Sequence, residues 1–399
     1  QIKLNKFQES INSFKEAISL DKTYVEAYNN LGTTLINLGN FKGAIKELNH
    51  AINLKPSYAN AYNNLGSALI DLGDYENAIN IFNKLLKINP NYPGLKLNII
   101  KLLTFYNPKY YNLNEYTKVN SKLKKVKFNY KKNTKISDNE IFNFYKECNH
   151  IVSSTFENLE FNLSQIWRRN THDLNCSRHF DVFRNFNTIP EFCFECFKIQ
   201  IELYSVTDLF KLYFIFDNLK LPNNRTRKCL IEMRKIGSGN YKGIIYCRGY
   251  DEAQFIKSLL DPIVCKNINK YTNVKIKRGC TEFSLKHPEF NNLSNTPEKF
   301  MKYNNDWKKS ENIIDSKMPT KNRLNQRTLN NSLNGISLND FLVMKNWLVY
   351  AKKIGDNEYK NFDHSIKSTK YMESVISDQI EFRKDEFNKI KLIDSSTKG

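Results

Sequence analysis

The feature that most restricts this chain is a pattern that returns after 34 residues. Tyr28-Asn29-Asn30-Leu31-Gly32 returns as Tyr62-Asn63-Asn64-Leu65-Gly66, and Leu38-Gly39-Asn40-Phe41 as Leu72-Gly73-Asp74-Tyr75. Ala44-Ile45 returns as Ala78-Ile79, and Leu54-Lys55-Pro56 as Ile88-Asn89-Pro90. Each copy reads as two amphipathic helices joined at a glycine, Gly39 or Gly73, which can take the left-handed conformation that ends a helix. Gly32, Ala44, Gly66 and Ala78 let paired helices approach, while Tyr28, Leu31, Leu35, Ile45 and Leu48 fill the space between them. Pro56 and Pro90 stop the second helix of each copy. One such pair cannot bury its own apolar face, so the pairs must stack.

A period of this length carrying these residues resembles the tetratricopeptide repeat (TPR), in particular the repeats of O-linked N-acetylglucosamine transferase. The resemblance covers residues 1–92. It comprises a half repeat around Phe14-Lys15-Glu16-Ala17-Ile18, full repeats at 25–58 and 59–92, and then an apolar capping helix within a region ending at 106. It implies a concave groove that holds a polypeptide. By match to such repeats, Asn30 and Asn64 line the groove and grip a peptide backbone, with Asn29, Asn63, Thr33 and Ser67 as neighbours. An Asn amide both donates and accepts, so it can pair with an extended main chain whatever its side chains are.

Beyond residue 106 the sequence predicts an α+β region. Residues 107–137 read as a basic linker, with nine Lys against one acid, Glu115, and interleaved Tyr and Phe. A basic stretch with aromatics could hold nucleic acid by charge and stacking; a solvated linker is the plainer reading. Residues 138–290 form an α+β domain, opened by a Ser137-Asp138-Asn139-Glu140 capping box. Alternation and helical spacing from Phe197 to Phe283 give a βαββαβ order, which suits a ferredoxin-like antiparallel sheet. Residues 291–336 read as a polar linker with one helix, and 337–399 as a helical C-terminal segment. On its predicted strand, Tyr241-Lys242-Gly243-Ile244-Ile245-Tyr246 resembles the central strand of an RNA-recognition domain, although Ile244 stands where that pattern has an aromatic.

Cys176-Ser177-Arg178-His179 and Cys193-Phe194-Glu195-Cys196 offer two pairs with two residues between their members. Cys176, His179, Cys193 and Cys196 could complete a tetrahedral zinc site, and thiolates would also suit an iron–sulfur cluster. The eight Cys show no spacing of a small disulfide scaffold, which points to reduced thiols and a cytoplasmic setting. The formal net charge is +20, but Lys, Asn, Ile and Tyr crowd the whole chain, so the charge speaks to solubility before it speaks to a partner. No apolar run is long enough to cross a membrane. Gln1 falls partway through a repeat, so any targeting signal upstream of it lies outside this sequence. No phosphate-cradling glycine loop and no nucleophile elbow occurs. The sequence therefore predicts a protein-binding scaffold with a metal-stabilised C-terminal domain. The alternatives are a protein-modifying enzyme fed by the groove, or an RNA-binding module.

Overall fold

The structure, a computed structural model, describes residues 2–130, 134–157, 159–172, 174–234, 237–270, 272–293, 297–317 and 331–396. The chain divides into two units. The first takes in Gln1–Lys118, Thr171–Thr188 and Asn304–Asn330, and the second Val119–Asn170, Ile189–Tyr303 and Asn331–Gly399.

The first unit is helical. Its repeat helices are α1 (Ile2–Leu20), α2 (Val25–Asn37), α3 (Phe41–Leu54), α4 (Ala59–Leu72), α5 (Tyr75–Ile88) and α6 (Leu95–Leu102). The expected starts and stops hold. Gly39 and Gly73 take φ of 77° and 86°, and α3 and α5 end just before Pro56 and Pro90. Asn40 and Asp74, at equivalent places, accept hydrogen bonds from the N–H groups of Gly43 and Asn77 and cap the second helices. The packing repeats with the sequence: Ala44, Leu48, Ala78 and Phe82 are fully buried. A Cβ on Gly66 would come within 2.3 Å of the Phe82 ring, and one on Gly32 within 2.7 Å of Leu48, so these glycines set how closely the helices pair. Two later helices complete the unit, α9 (Cys176–Phe186) and α13 (Lys308–Lys317), held together by Arg178, which pairs with Glu311 and Asp315 at 2.7 Å each.

The second unit is built on a five-stranded antiparallel sheet of β1 (Gln165–Arg168), β2 (Cys196–Leu203), β3 (Arg227–Ile231), β4 (Tyr241–Arg248) and β5 (Val274–Arg278), in the order β1-β3-β4-β2-β5. The four strands β2 to β5 have the ferredoxin-like order that βαββαβ predicts, and β1 is added beside β3. Pairing of Ile199 with Ile245 and Ile276 sets the register. Phe197, Ile199, Ile201, Gly243, Ile245 and Cys247 thereby share one face, on which α10 (Val206–Asn218) and α11 (Tyr250–Asn267) pack.

Two segments are more integrated than the sequence suggested. Within the expected basic linker, α7 (Glu115–Leu123) forms, and Val119 and Leu123 are fully buried. Tyr116, Val119, Leu123 and Val126 carry helical spacing that the lysines between them mask. The expected separate C-terminal segment supplies α14 (Leu338–Ile354), whose Trp347 is fully buried and donates from Nε1 to the Ser164 carbonyl at 2.9 Å. Asn346 donates to the carbonyls of Phe161 and Leu163, so α14 belongs to the α+β unit itself. In the expected polar linker, short 3-10 turns at Pro297–Lys299 and Asn305–Trp307 precede α13; residues 318–330 lie outside the described residues.

Candidate polypeptide-binding surface

The candidate residues sit on the first helices of the repeats, and their amides meet in a row. Asn64 donates from Nδ2 to Asn29 Oδ1 and to Thr33 Oγ1, each at 3.0 Å. Asn98 donates from Nδ2 to Asn63 Oδ1 at 3.2 Å, and Asn29 donates to Asn30 Oδ1 at 3.2 Å. Thr33 and Ser67 turn their hydroxyls back onto the carbonyls of Asn29 and Asn63 on their own helices. Asn29 is buried, Asn30 is exposed, and Asn63, Asn64 and Asn98 are half-buried. These residues therefore form one continuous strip across α2, α4 and α6. Among the described residues Asn30 Nδ2 donates to no group, and the Oδ1 atoms of Asn64 and Asn98 accept from none. An amide with one end fixed and the other unspent is held ready for a further partner.

Asn98 was missed in the sequence. It lies 34 residues after Asn64 and 68 after Asn30, so the period alone would have placed it, had α6 been read as the start of a third copy instead of a cap. A separate cleft of about 780 Å³ is lined by Ile45, Leu65, Leu69, Ile81 and Lys84, among others, and includes none of the Asn strip.

A family model described as tetratricopeptide repeat matches residues 59–92, and one described as TPR repeat matches residues 2–39 and 32–73. Residues 2–92 are tetratricopeptide repeats. Among solved structures, the first TPR of Spaghetti (RPAP3), bound to the HSP90 peptide SRMEEVD, is 25% identical with a TM-score of 0.24. That match covers 25% of this chain and 80% of that one. An O-GlcNAc transferase of Thermobaculum terrenum is 19% identical with a TM-score of 0.26, over 33% of this chain and 26% of its own. This chain thus spans about a quarter of that transferase. No curated protein matches the chain. The TPR repeats make this a chain with a protein–protein interaction region.

The expected metal ligands fall in different places. Cys176 opens α9 with His179 buried one turn later, both in the first unit; in the second, buried Cys193 lies in a 3-10 turn and Cys196 opens β2. Among the described residues no group of three or more His, Cys, Asp or Glu gathers in the manner of a metal site. Cys229 and Cys247 are buried in the sheet, where burial raises both thiols, Cys247 to about 12; they pack as small apolar residues.

The strand that resembled an RNA-recognition domain is central, as expected, but its aromatics are engaged. Tyr241 is buried and donates its hydroxyl to Asp356 at 2.7 Å. Tyr246 stacks on Trp167 at 6.0 Å, and that indole also carries Arg169 at 4.3 Å and Lys228 at 4.4 Å. A base would have to displace these side chains to stack there. In the basic stretch, Lys124 is spent on the carbonyls of Asn334 and Gly335. Among the described residues no helix is long and apolar enough to cross a membrane.

Proposed function

We propose that the Asn strip of the TPR region grips the main chain of an extended polypeptide, making this protein a scaffold that presents one partner to others in the cytoplasm. The observation that carries the reading is the 34-residue spacing of Asn30, Asn64 and Asn98, whose amides keep an unspent donor or acceptor at each step. An amide row of this kind reads backbone and leaves side-chain selectivity to its surroundings. The eight cysteines lack the spacing of a small disulfide scaffold, which accords with a reducing compartment. Zinc bound through Cys176, His179, Cys193 and Cys196 would require those residues to come together, and elemental analysis of the purified chain tests it directly.

The test is peptide capture. The full chain is screened against a library of unstructured peptides, and the best binder is then titrated against the triple variant Asn30→Ala, Asn64→Ala, Asn98→Ala. Each neutral hydrogen bond contributes about 0.5–1.5 kcal/mol, so the triple variant is expected to bind at least about tenfold more weakly with an unchanged circular dichroism spectrum. N-methylation of alternate peptide amides should weaken binding to the wild type as well. Affinity indifferent to both changes would overturn the reading.

A further inference from the structure

A second site lies in the α+β unit, where β4 runs through Gly249 into α11 beside the end of β5. Here a cavity of about 600 Å³ is lined by Arg278, Gly249, Tyr250, Asp251 and Phe300, among others. Arg278 is 6% exposed, and four rings surround its guanidinium: Phe194 at 4.7 Å, Phe290 at 5.0 Å, Phe197 at 5.7 Å and Phe300 at 5.8 Å. Nε donates to the Phe194 carbonyl at 3.0 Å and Nη1 to the Met301 carbonyl at 2.7 Å. Among the described residues Nη2 donates to nothing, and it is not fully enclosed. Among the described residues Arg278 has no carboxylate at ion-pair distance. Burial lowers its pKa, and Glu195 offsets this only in part. A cation so enclosed and unpaired is costly unless something else supplies the countercharge.

The second observation is the start of α11, an 18-residue helix with no side-chain cap. Gly249, at φ 87°, spends its own N–H on the Glu195 carbonyl at 2.8 Å. The next backbone donor with an acceptor is Ala253, which leaves the N–H groups of Tyr250, Asp251 and Glu252 unspent. Such a terminus favours negative charge. The other charged groups lining the cavity, Glu191, Glu195, Asp251, Arg248 and Lys302, are exposed and of both signs, so water screens them; Arg278 carries the one buried charge. The volume exceeds what a bare phosphate fills, and Tyr250 and Phe300 supply ring walls.

We propose that this cavity binds a small ring-bearing oxyanion, its carboxylate or phosphate head on Arg278 and the first turn of α11 and its planar body against the edge-to-face pair of Tyr250 and Phe300. The geometry reads the head group and not the source of the charge, so benzoate and phenyl phosphate serve as separate probes, with benzylamine as the cationic control. In isothermal titration of the full chain, at least one oxyanion probe is expected to bind at a single site, with benzylamine silent. Arg278→Met, which keeps an apolar side chain inside the ring cage, should weaken the bound probe at least about tenfold, in line with a lost charge-assisted hydrogen bond. Binding by benzoate alone identifies a carboxylate site, and by phenyl phosphate alone a phosphate site. If Arg278→Met fails to fold, the wild-type contrast decides by itself. No heat from either oxyanion up to about 10 mM, where even weak ligands register, or equal binding of benzylamine, would overturn the proposal.

Discussion

In the repeats, Ala44 and Leu48 of α3 are matched 34 residues later by Ala78 and Phe82 of α5, and all four are fully buried. Leu48 sits over Gly32 of the partner helix and Phe82 over Gly66, at short range along the chain. In the α+β unit the corresponding burden falls on charges whose partners are far away. Arg168, on the edge strand β1, pairs with Asp217 at 2.6 Å and Asp340 at 3.1 Å, which lie 49 and 172 residues further on. Tyr213 accepts from the same guanidinium at 3.0 Å. The repeats thus rest on many interchangeable apolar contacts, and the second unit on a few pairings that have no substitute. A repeat can lose one contact and keep its neighbours, whereas a buried charge stripped of its partner has nowhere to go.

The sharpest way to break this contrast is Arg168→Met. It strands Asp217 and Asp340 in the interior, and the expected cost is about 3–5 kcal/mol. Chemical unfolding followed by the fluorescence of Trp167 and Trp347, both in that unit, measures it. Replacing Asp217 and Asp340 by apolar residues as well should recover much of the loss, because no charge then remains buried alone. A small effect of the single change would mean that water reaches the network.

Next in size is an acid effect confined to the second unit. Glu232 is buried at the end of β3. Burial alone would raise its carboxyl, but hydrogen bonds from Arg234 and the Lys242 ammonium at 2.8 Å override this and hold it at about 2. Lys242 moves down as well, because burial outweighs its attraction to Glu232, so the pair favours the carboxylate at the lysine's expense. A carboxyl lowered on folding contributes stability that is fully present above the unfolded value, near 4.5, and is lost as pH falls towards 2. The loss over that window is on the order of 3 kcal/mol, and Glu232→Gln should flatten this part of the stability–pH curve.

The same contrast explains what could be read from the residues. The helix pairs were legible because period, glycine joints and prolines agree at every copy. The order of β2 to β5 was legible because βαββαβ admits few antiparallel solutions. The polar partners were not: nothing local to Arg168 points to Asp340, and nothing local to Ser164 points to Trp347. Residues 107–137 misled because lysines outnumber the apolar residues of α7 that decide its burial. Among the strip residues, Asn30 and Asn64 were marked by position in the repeat, while Asn98 sits in a copy too degenerate to show its motif. The cavity at Arg278 gave no signal, since its cage is gathered from β2, β5 and the turns around Phe290 and Phe300.

The smallest expected effect tests whether the repeats are as interchangeable as they look. Replacing a mid-helix glycine by alanine raises helix propensity by about 1 kcal/mol, which favours the folded state. Against this stands the space each glycine leaves. At Gly66 the new Cβ would lie 2.3 Å from Phe82, a ring fixed in a fully buried site, and overpacking of that kind costs about 1–3 kcal/mol. At Gly32 the nearest atom is Leu48 Cγ at 2.7 Å, a smaller overlap that Leu48, fully buried too, relieves with a smaller shift than Phe82 needs. Gly66→Ala is therefore expected to lower the melting temperature of the helical signal, and Gly32→Ala to leave it nearly unchanged as the two terms offset. Phe82→Leu in the Gly66→Ala background should recover part of the loss by giving that repeat the leucine its predecessor already has. Equal effects at the two glycines would show that the stack relaxes around either one, and that its spacing is set by the helices as wholes instead of by single close contacts.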